Sequence, residues 1–209
     1  HPGWAAHSGL VAARLAAAGV TGPRGVLDGR FGLYRSHLGD GEWNLSALTS
    51  ELGTRWNLLD ISLKPYPCCH MNHAFIDCAA TLQTQLAVAS EAIEQVECFI
   101  HPREVPVVCE PAATKRLPQN DYDAKFSLPY AVASQFIRGH VSISDFSDSA
   151  IREPAVLALA GRVVYREDST NKYPRYFPGW MRVRLRDGRV LEHREPINRG
   201  HAERPLSED

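Results

Sequence analysis

No run of apolar residues in this chain approaches the ~20 that a helix needs to span a bilayer, and the alanine-rich opening lacks the charged start and cleavage site of a signal peptide. The expectation is a soluble, cytoplasmic protein with no membrane partner. Positive charge is not in surplus either: 23 Lys and Arg stand against 24 Asp and Glu, for a formal net charge of -1. A nucleic-acid binder carries a basic excess to neutralise phosphates, so no nucleic-acid partner is expected. The five cysteines are an odd number with no CxxC pair, which argues against both a disulfide framework and a zinc knuckle. Phosphate loop, dinucleotide fingerprint and nucleophile elbow are all missing. There is no internal repeat and no low-complexity segment.

What remains is an ordinary globular composition, 44% hydrophobic and 22% charged over 209 residues. That length allows roughly 70% of the unfolded chain's surface to be buried. The chain starts at His1 without a methionine and ends in Pro205-Leu206-Ser207-Glu208-Asp209, a helix-start signature with no helix after it. A segment of a longer protein is therefore expected.

Helical spacing of Trp4, Val11 and Leu15 predicts a helix from Pro2 to Ala18 stopped by Gly19, with small residues that admit close packing. A second helix is predicted over 44–52, capped by Asn44. Alternation at Leu59, Ile61 and Leu63 predicts a strand over 58–64 that ends at Pro65. A long amphipathic helix follows over 70–89. Strands are expected at Val96 to Ile100 and Val105 to Cys109. Ser127 and Pro129 open a helix that Gly139 closes, and short helices are expected over 144–148 and 154–160. A strand over 162–166 precedes two more, 180–186 and 189–193, which pair across a two-residue Asp187-Gly188 turn. Strands and helices mixed in this order make an α+β fold, the end of an all-helical domain (1–57) followed by an α+β domain (58–200), with 201–209 a linker.

The residues richest in chemistry run from Lys64 to His73: a cation, the thiols of Cys68 and Cys69, and the imidazoles of His70 and His73. Prolines on both sides of Tyr66 stiffen the handover into a helix and fix where Lys64 points. On composition alone, Lys64 reads more simply as a surface lysine. Adjacent cysteines without a distant second ligand pair are a poor zinc set, so no metal is expected. Arg182, Arg184 and Arg186 alternate with apolar residues and read as the solvated face of a strand.

Four stretches resemble, in order, landmarks of the MmgE/PrpD family: His1-Pro2-Gly3-Trp4-Ala5-Ala6-His7-Ser8-Gly9; Lys64-Pro65-Tyr66-Pro67-Cys68 followed by His73; Phe126-Ser127-Leu128-Pro129-Tyr130; and Tyr173-Pro174 leading into Val183-Arg184-Leu185-Arg186-Asp187-Gly188. The resemblance spans nearly the whole chain. It implies a helical body and an α+β lid with a cleft between them, catalytic roles for Lys64, His73 and Tyr130, and a substrate-binding border at His1 and Cys69. Cys69 stands where the family's decarboxylase has a histidine. The implied activity is that of a lyase or isomerase on a small polycarboxylate, first of all a dehydratase of the 2-methylcitrate type, with epimerisation or decarboxylation as alternatives. A homodimer is implied, and the chemistry requires no metal or organic cofactor. The contrasting expectation is a binding or structural module that keeps the lid fold without catalysis. Because family residues upstream of His1 are not in the chain, the 209 residues alone are expected to be inactive.

Overall fold

The computed structural model describes residues 1–39, 41, 43–86 and 90–207, and the chain divides into two units, His1–Arg55 and Trp56–Asp209. In the first unit, Pro2 sits in the opening turn of α1 (Pro2–Ala17), where a missing N–H costs nothing. The helix stops where Gly19 takes a φ of 92° and donates its N–H to the Ala16 carbonyl. The predicted helix forms, but no residue of it is buried, and Trp4 is 73% exposed. A second helix, α2 (Leu33–Leu38), follows. The helix predicted over 44–52 is reduced to one 3-10 turn, Leu45–Leu48. Asn44 accepts from the Ser46 hydroxyl at 2.6 Å instead of capping a backbone amide.

The second unit is built on a mixed four-stranded sheet. It holds α3 (His73–Leu86), β1 (Ile93–Ile100), α4 (Val105–Val108), α5 (Ala112–Arg116), α6 (Asp121–Lys125), α7 (Leu128–Arg138), α8 (Pro154–Ala160), β2 (Val163–Glu167), β3 (Gly179–Leu185) and β4 (Val190–Glu195). The strand order is β2-β1-β3-β4; β1 runs parallel to β2 and antiparallel to β3, and β3 is antiparallel to β4. Period two places Val96, Cys98 and Ile100 of β1 beside Met181, Val183 and Leu185 of β3 on one face, all fully buried. Helix α3 lies on that face, and α7 packs against α3. The opposite face carries Arg182 bonded to Glu192 at 3.0 Å and Arg184 to Glu94 at 3.3 Å, as expected of a solvated stripe.

Local signals explain α7 well. Ser127 Oγ accepts from the Tyr130 N–H at 3.0 Å, Pro129 occupies the first turn, and Gly139 ends the helix in the left-handed region. Every residue from Leu128 to Phe136 is buried, which makes α7 the helix at the centre of this unit. The α+β class is borne out.

Several local expectations are corrected. Residues 58–64 form no strand: a 3-10 turn occupies Asn57–Asp60, and Leu59 and Leu63 remain 78% and 54% exposed. Extended backbone alone is not a ladder, and here the segment is tied down by one backbone bond, from the Leu63 N–H to the Gly200 carbonyl (2.8 Å), and by the Ser62 hydroxyl, which accepts from Asn198 Nδ2 at 2.8 Å. Val105 to Cys109 is helical, because Pro106 suits a first turn and the Cys109 N–H reaches the Val105 carbonyl at 2.9 Å. The long helix starts at His73 after a 3-10 turn, His70–Asn72, and the last three residues expected in it, 87–89, lie outside the described residues. A 3-10 turn, Ile143–Phe146, replaces the short helix over 144–148. The strand expected over 162–166 is β2, one residue later. The hairpin forms with a longer loop, since Leu185 bonds Arg189 and Gly188 (φ 89°) makes a three-residue connection.

Candidate active site

The segment from Lys64 to Cys68 closes on itself. Lys64 Nζ donates to the Cys68 carbonyl at 3.2 Å, and His73 Nε2 lies 3.4 Å from the same oxygen. A carbonyl only accepts, so Nε2 carries the proton and Nδ1 the lone pair. That Nδ1 is buried and has no hydrogen-bond partner among the described residues. Burial, followed by the neighbouring His70, pushes the imidazole down to about 3, so His73 is neutral at working pH.

Neighbouring contacts fix this loop in place. The Tyr66 hydroxyl donates to Asp77 Oδ1 at 2.6 Å and accepts from Arg199 Nη2 at 2.8 Å, while Arg199 pairs with Asp77 at 3.0 Å. His70 stacks on Phe177 with centroids 4.6 Å apart, and its Nε2 accepts from Asn198 Nδ2 at 2.9 Å. Burial pushes His70 down to about 4. Gly200 completes the clamp: its φ is 90°, and a Cβ there would stand 2.3 Å from the Leu63 carbonyl oxygen.

A cavity of about 870 Å³ opens beside the loop, lined on one side by Lys64, Cys68 and Cys69 and on the other by Phe126 and residues 141–144. Both thiols are neutral. Burial and the adjacent Cys69 push Cys68 up to about 12, and burial raises Cys69. Lys125 also lines the cavity, but its ammonium bonds Asp121 at 2.8 Å. Among the described residues Lys64 forms no ion pair, and its hydrogen bond to Cys68 leaves two of its three donors available.

The structure thus brings Lys64 and Cys69 to one cavity and sets His73 directly behind the Cys68 carbonyl. Tyr130 is placed elsewhere: it is fully buried in α7, donates to the Asp145 carbonyl, accepts from Arg138 Nη1 at 3.3 Å, and does not line the cavity. His1 is an exposed residue of the first unit. Sequence reasoning missed the opposite wall, Val141 to Ser144, whose only local signal is the Ser142-x-x-Asp145 capping box. It also missed Glu104, fully buried, with neither carboxyl oxygen hydrogen-bonded among the described residues, and pushed up to about 8 by burial. Among the described residues, no three His, Cys, Asp or Glu side chains converge as metal ligands, and no helix is long and apolar enough to cross a membrane.

Residues 66–209 match the model of the MmgE/PrpD C-terminal domain. The chain belongs to the MmgE/PrpD family. The match begins two residues after Lys64 and takes in the rest of the cavity lining except Pro65. Two curated relatives are cis-aconitate decarboxylases, one of Homo sapiens at 26% identity over 215 residues and one of Mus musculus at 24% over 216. All of this MmgE/PrpD chain is covered in both, but it spans only 43% of each decarboxylase.

Proposed function

We propose that this chain supplies the lysine-bearing part of the active site of a lyase that acts on a carbon next to a carboxylate. The observation that carries the reading is the Lys64 ammonium, held by the Cys68 carbonyl at the edge of a cavity whose thiols are neutral. A substrate carboxylate placed there would meet a fixed positive charge. Removal of the neighbouring proton moves negative charge onto the carboxylate as an enediolate, which the ammonium stabilises more than the ground state. Loss of hydroxide from the next carbon then completes a dehydration of the 2-methylcitrate kind.

His73 acts through the Cys68 carbonyl, as the group that aims Lys64. Tyr130 acts through Asp145, holding the turn that forms the far wall. Neutral thiols and hydroxyls are weak bases, so the proton acceptor is assigned to a group outside the described lining.

The second reading is decarboxylation, favoured by the two relatives named as cis-aconitate decarboxylases. The same ammonium would serve it, because loss of carbon dioxide also leaves a carbanion that needs stabilising charge. The deciding assay offers the intact protein 2-methylcitrate, cis-aconitate and iminodisuccinate in turn. Loss of water from the first supports dehydration, carbon dioxide from the second supports decarboxylation, and no turnover of any of them supports a binding module. Lys64→Ala should lower turnover at least ~100-fold, the usual scale for a preorganised electrostatic group, with little change in melting temperature. Near-normal turnover of that variant would remove Lys64 from the chemistry.

A further inference from the structure

The wall opposite Lys64 sets three apolar side chains, Phe126, Val141 and Ile143, beside two serines, and it is built rather than incidental. Val141 is buried, Phe126 is partly buried, and Ile143 is 78% exposed at the rim. The turn that carries Ile143 is pinned. Ser142 donates its N–H and its hydroxyl to Asp145 Oδ2 at 2.6 and 2.8 Å, and the Asp145 carbonyl accepts from Tyr130 of α7. The two hydroxyls on the wall bond each other, with Ser142 Oγ 2.9 Å from Ser144 Oγ. They do not require a polar ligand group.

Charge is just as unevenly placed. Lys64 has free donors, whereas the Lys125 ammonium turns to Asp121. A small acid with a carboxylate at each end would satisfy one side of this cavity and leave the other facing apolar surface. At about 870 Å³ the space lies near the top of the roughly 300–1,000 Å³ range typical of pockets for drug-sized ligands.

We infer that the ligand of this cavity joins a carboxylate, held at Lys64, to an apolar arm longer than a methyl group that lies along Phe126, Val141 and Ile143. The inference rests on the carboxylate reading proposed above and adds the chemistry of the rest of the molecule. Each buried methylene favours binding by about 0.8 kcal/mol, or roughly fourfold. A four-carbon arm seated even partly on this wall should therefore tighten binding at least ~10-fold.

Calorimetric titration of the intact protein with succinate and with 2-butylsuccinate tests this, using wild type, Ile143→Ser and Lys64→Ala. The expected result is a Kd at least ~10-fold lower for the butyl compound. Ile143→Ser should bring that ratio down toward one, and Lys64→Ala should weaken both acids. Ile143 is exposed, so its replacement does not endanger folding. Equal affinities that both depend on Lys64 would overturn the apolar arm and leave the carboxylate site standing. Binding of neither acid, or binding that ignores Lys64, would overturn both.

Discussion

The two units of this chain contain similar residue types and use them in opposite ways. Residues 1–55 include Trp4, Leu10, Val11 and Leu15, yet these are 42–73% exposed. Among the described residues, the buried hydrophobic cluster runs from Cys68 to Leu185, within residues 56–209. A hydrophobic residue stabilises a fold only when the topology gives it something to lie against. Here the sheet and the α3–α7 pair provide that surface in one unit only. The candidate site follows the same division: its cavity is lined by side chains fixed on that core.

The comparison can be tested by substitution. The largest effect is expected at Phe75, fully buried in α3. Phe75→Ala should cost about 3–5 kcal/mol in urea unfolding of the 209-residue chain, while Trp4→Ala, at a 73% exposed position, should stay within ~0.5 kcal/mol. Similar losses at both sites would show that Trp4 is covered in solution.

Next come two glycines with nearly the same backbone. Gly19 has φ 92° and open space around its Cβ position, whereas Gly200 has φ 90° and the Leu63 carbonyl oxygen 2.3 Å away. Gly19→Ala should cost only the left-handed penalty, about 1–2 kcal/mol. Gly200→Ala should cost more and should also disturb the Lys64 loop, seen as weaker carboxylate binding. Equal costs would mean that the contact with Leu63 relaxes freely.

A last comparison concerns pH, and all the groups involved belong to the second unit. Glu104 titrates near 4.5 unfolded and about 8 folded, so its contribution is intact below 4.5 and stability is lost as pH rises toward 8. Glu104→Gln should flatten that slope; a slope unchanged in the variant would mean that Glu104 is hydrated. His70 and His73 run the other way. Their folded values, about 4 and about 3, lie below the ordinary 6.5, so stability is full above 6.5 and lost as pH falls through the folded values. Urea midpoints measured from pH 3 to 9 should therefore decline toward both ends, and a flat acid side would contradict the burial of the two imidazoles.

Elements defined by neighbouring residues were legible in the sequence. Helix α7 could be read from Ser127, Pro129 and Gly139, because capping and helix termination are local. The 58–64 segment could not. Its alternation is that of a strand, but a strand exists only with a partner, and the nearest backbone comes from Gly200, far along the chain. Lys64 and Cys69 could be singled out because they sit in one unusual stretch. The wall they face, Phe126 and residues 141–144, comes from a later part of the chain and is brought opposite them by tertiary packing. Nor could spacing show that His73 and Tyr130 are fully buried, with the His73 Nε2 and the Tyr130 hydroxyl turned to backbone carbonyls.

One consequence of the bond between Lys64 Nζ and the Cys68 carbonyl concerns timing. A free lysine gives up about 2 kcal/mol of rotamer entropy when a ligand immobilises it. Here the side chain already closes a ring across Pro65, Tyr66 and Pro67 before any anion arrives. That ordering is completed when the chain folds. An incoming carboxylate meets an ammonium with its direction set, and the entropic penalty of its capture falls on the ligand and its water.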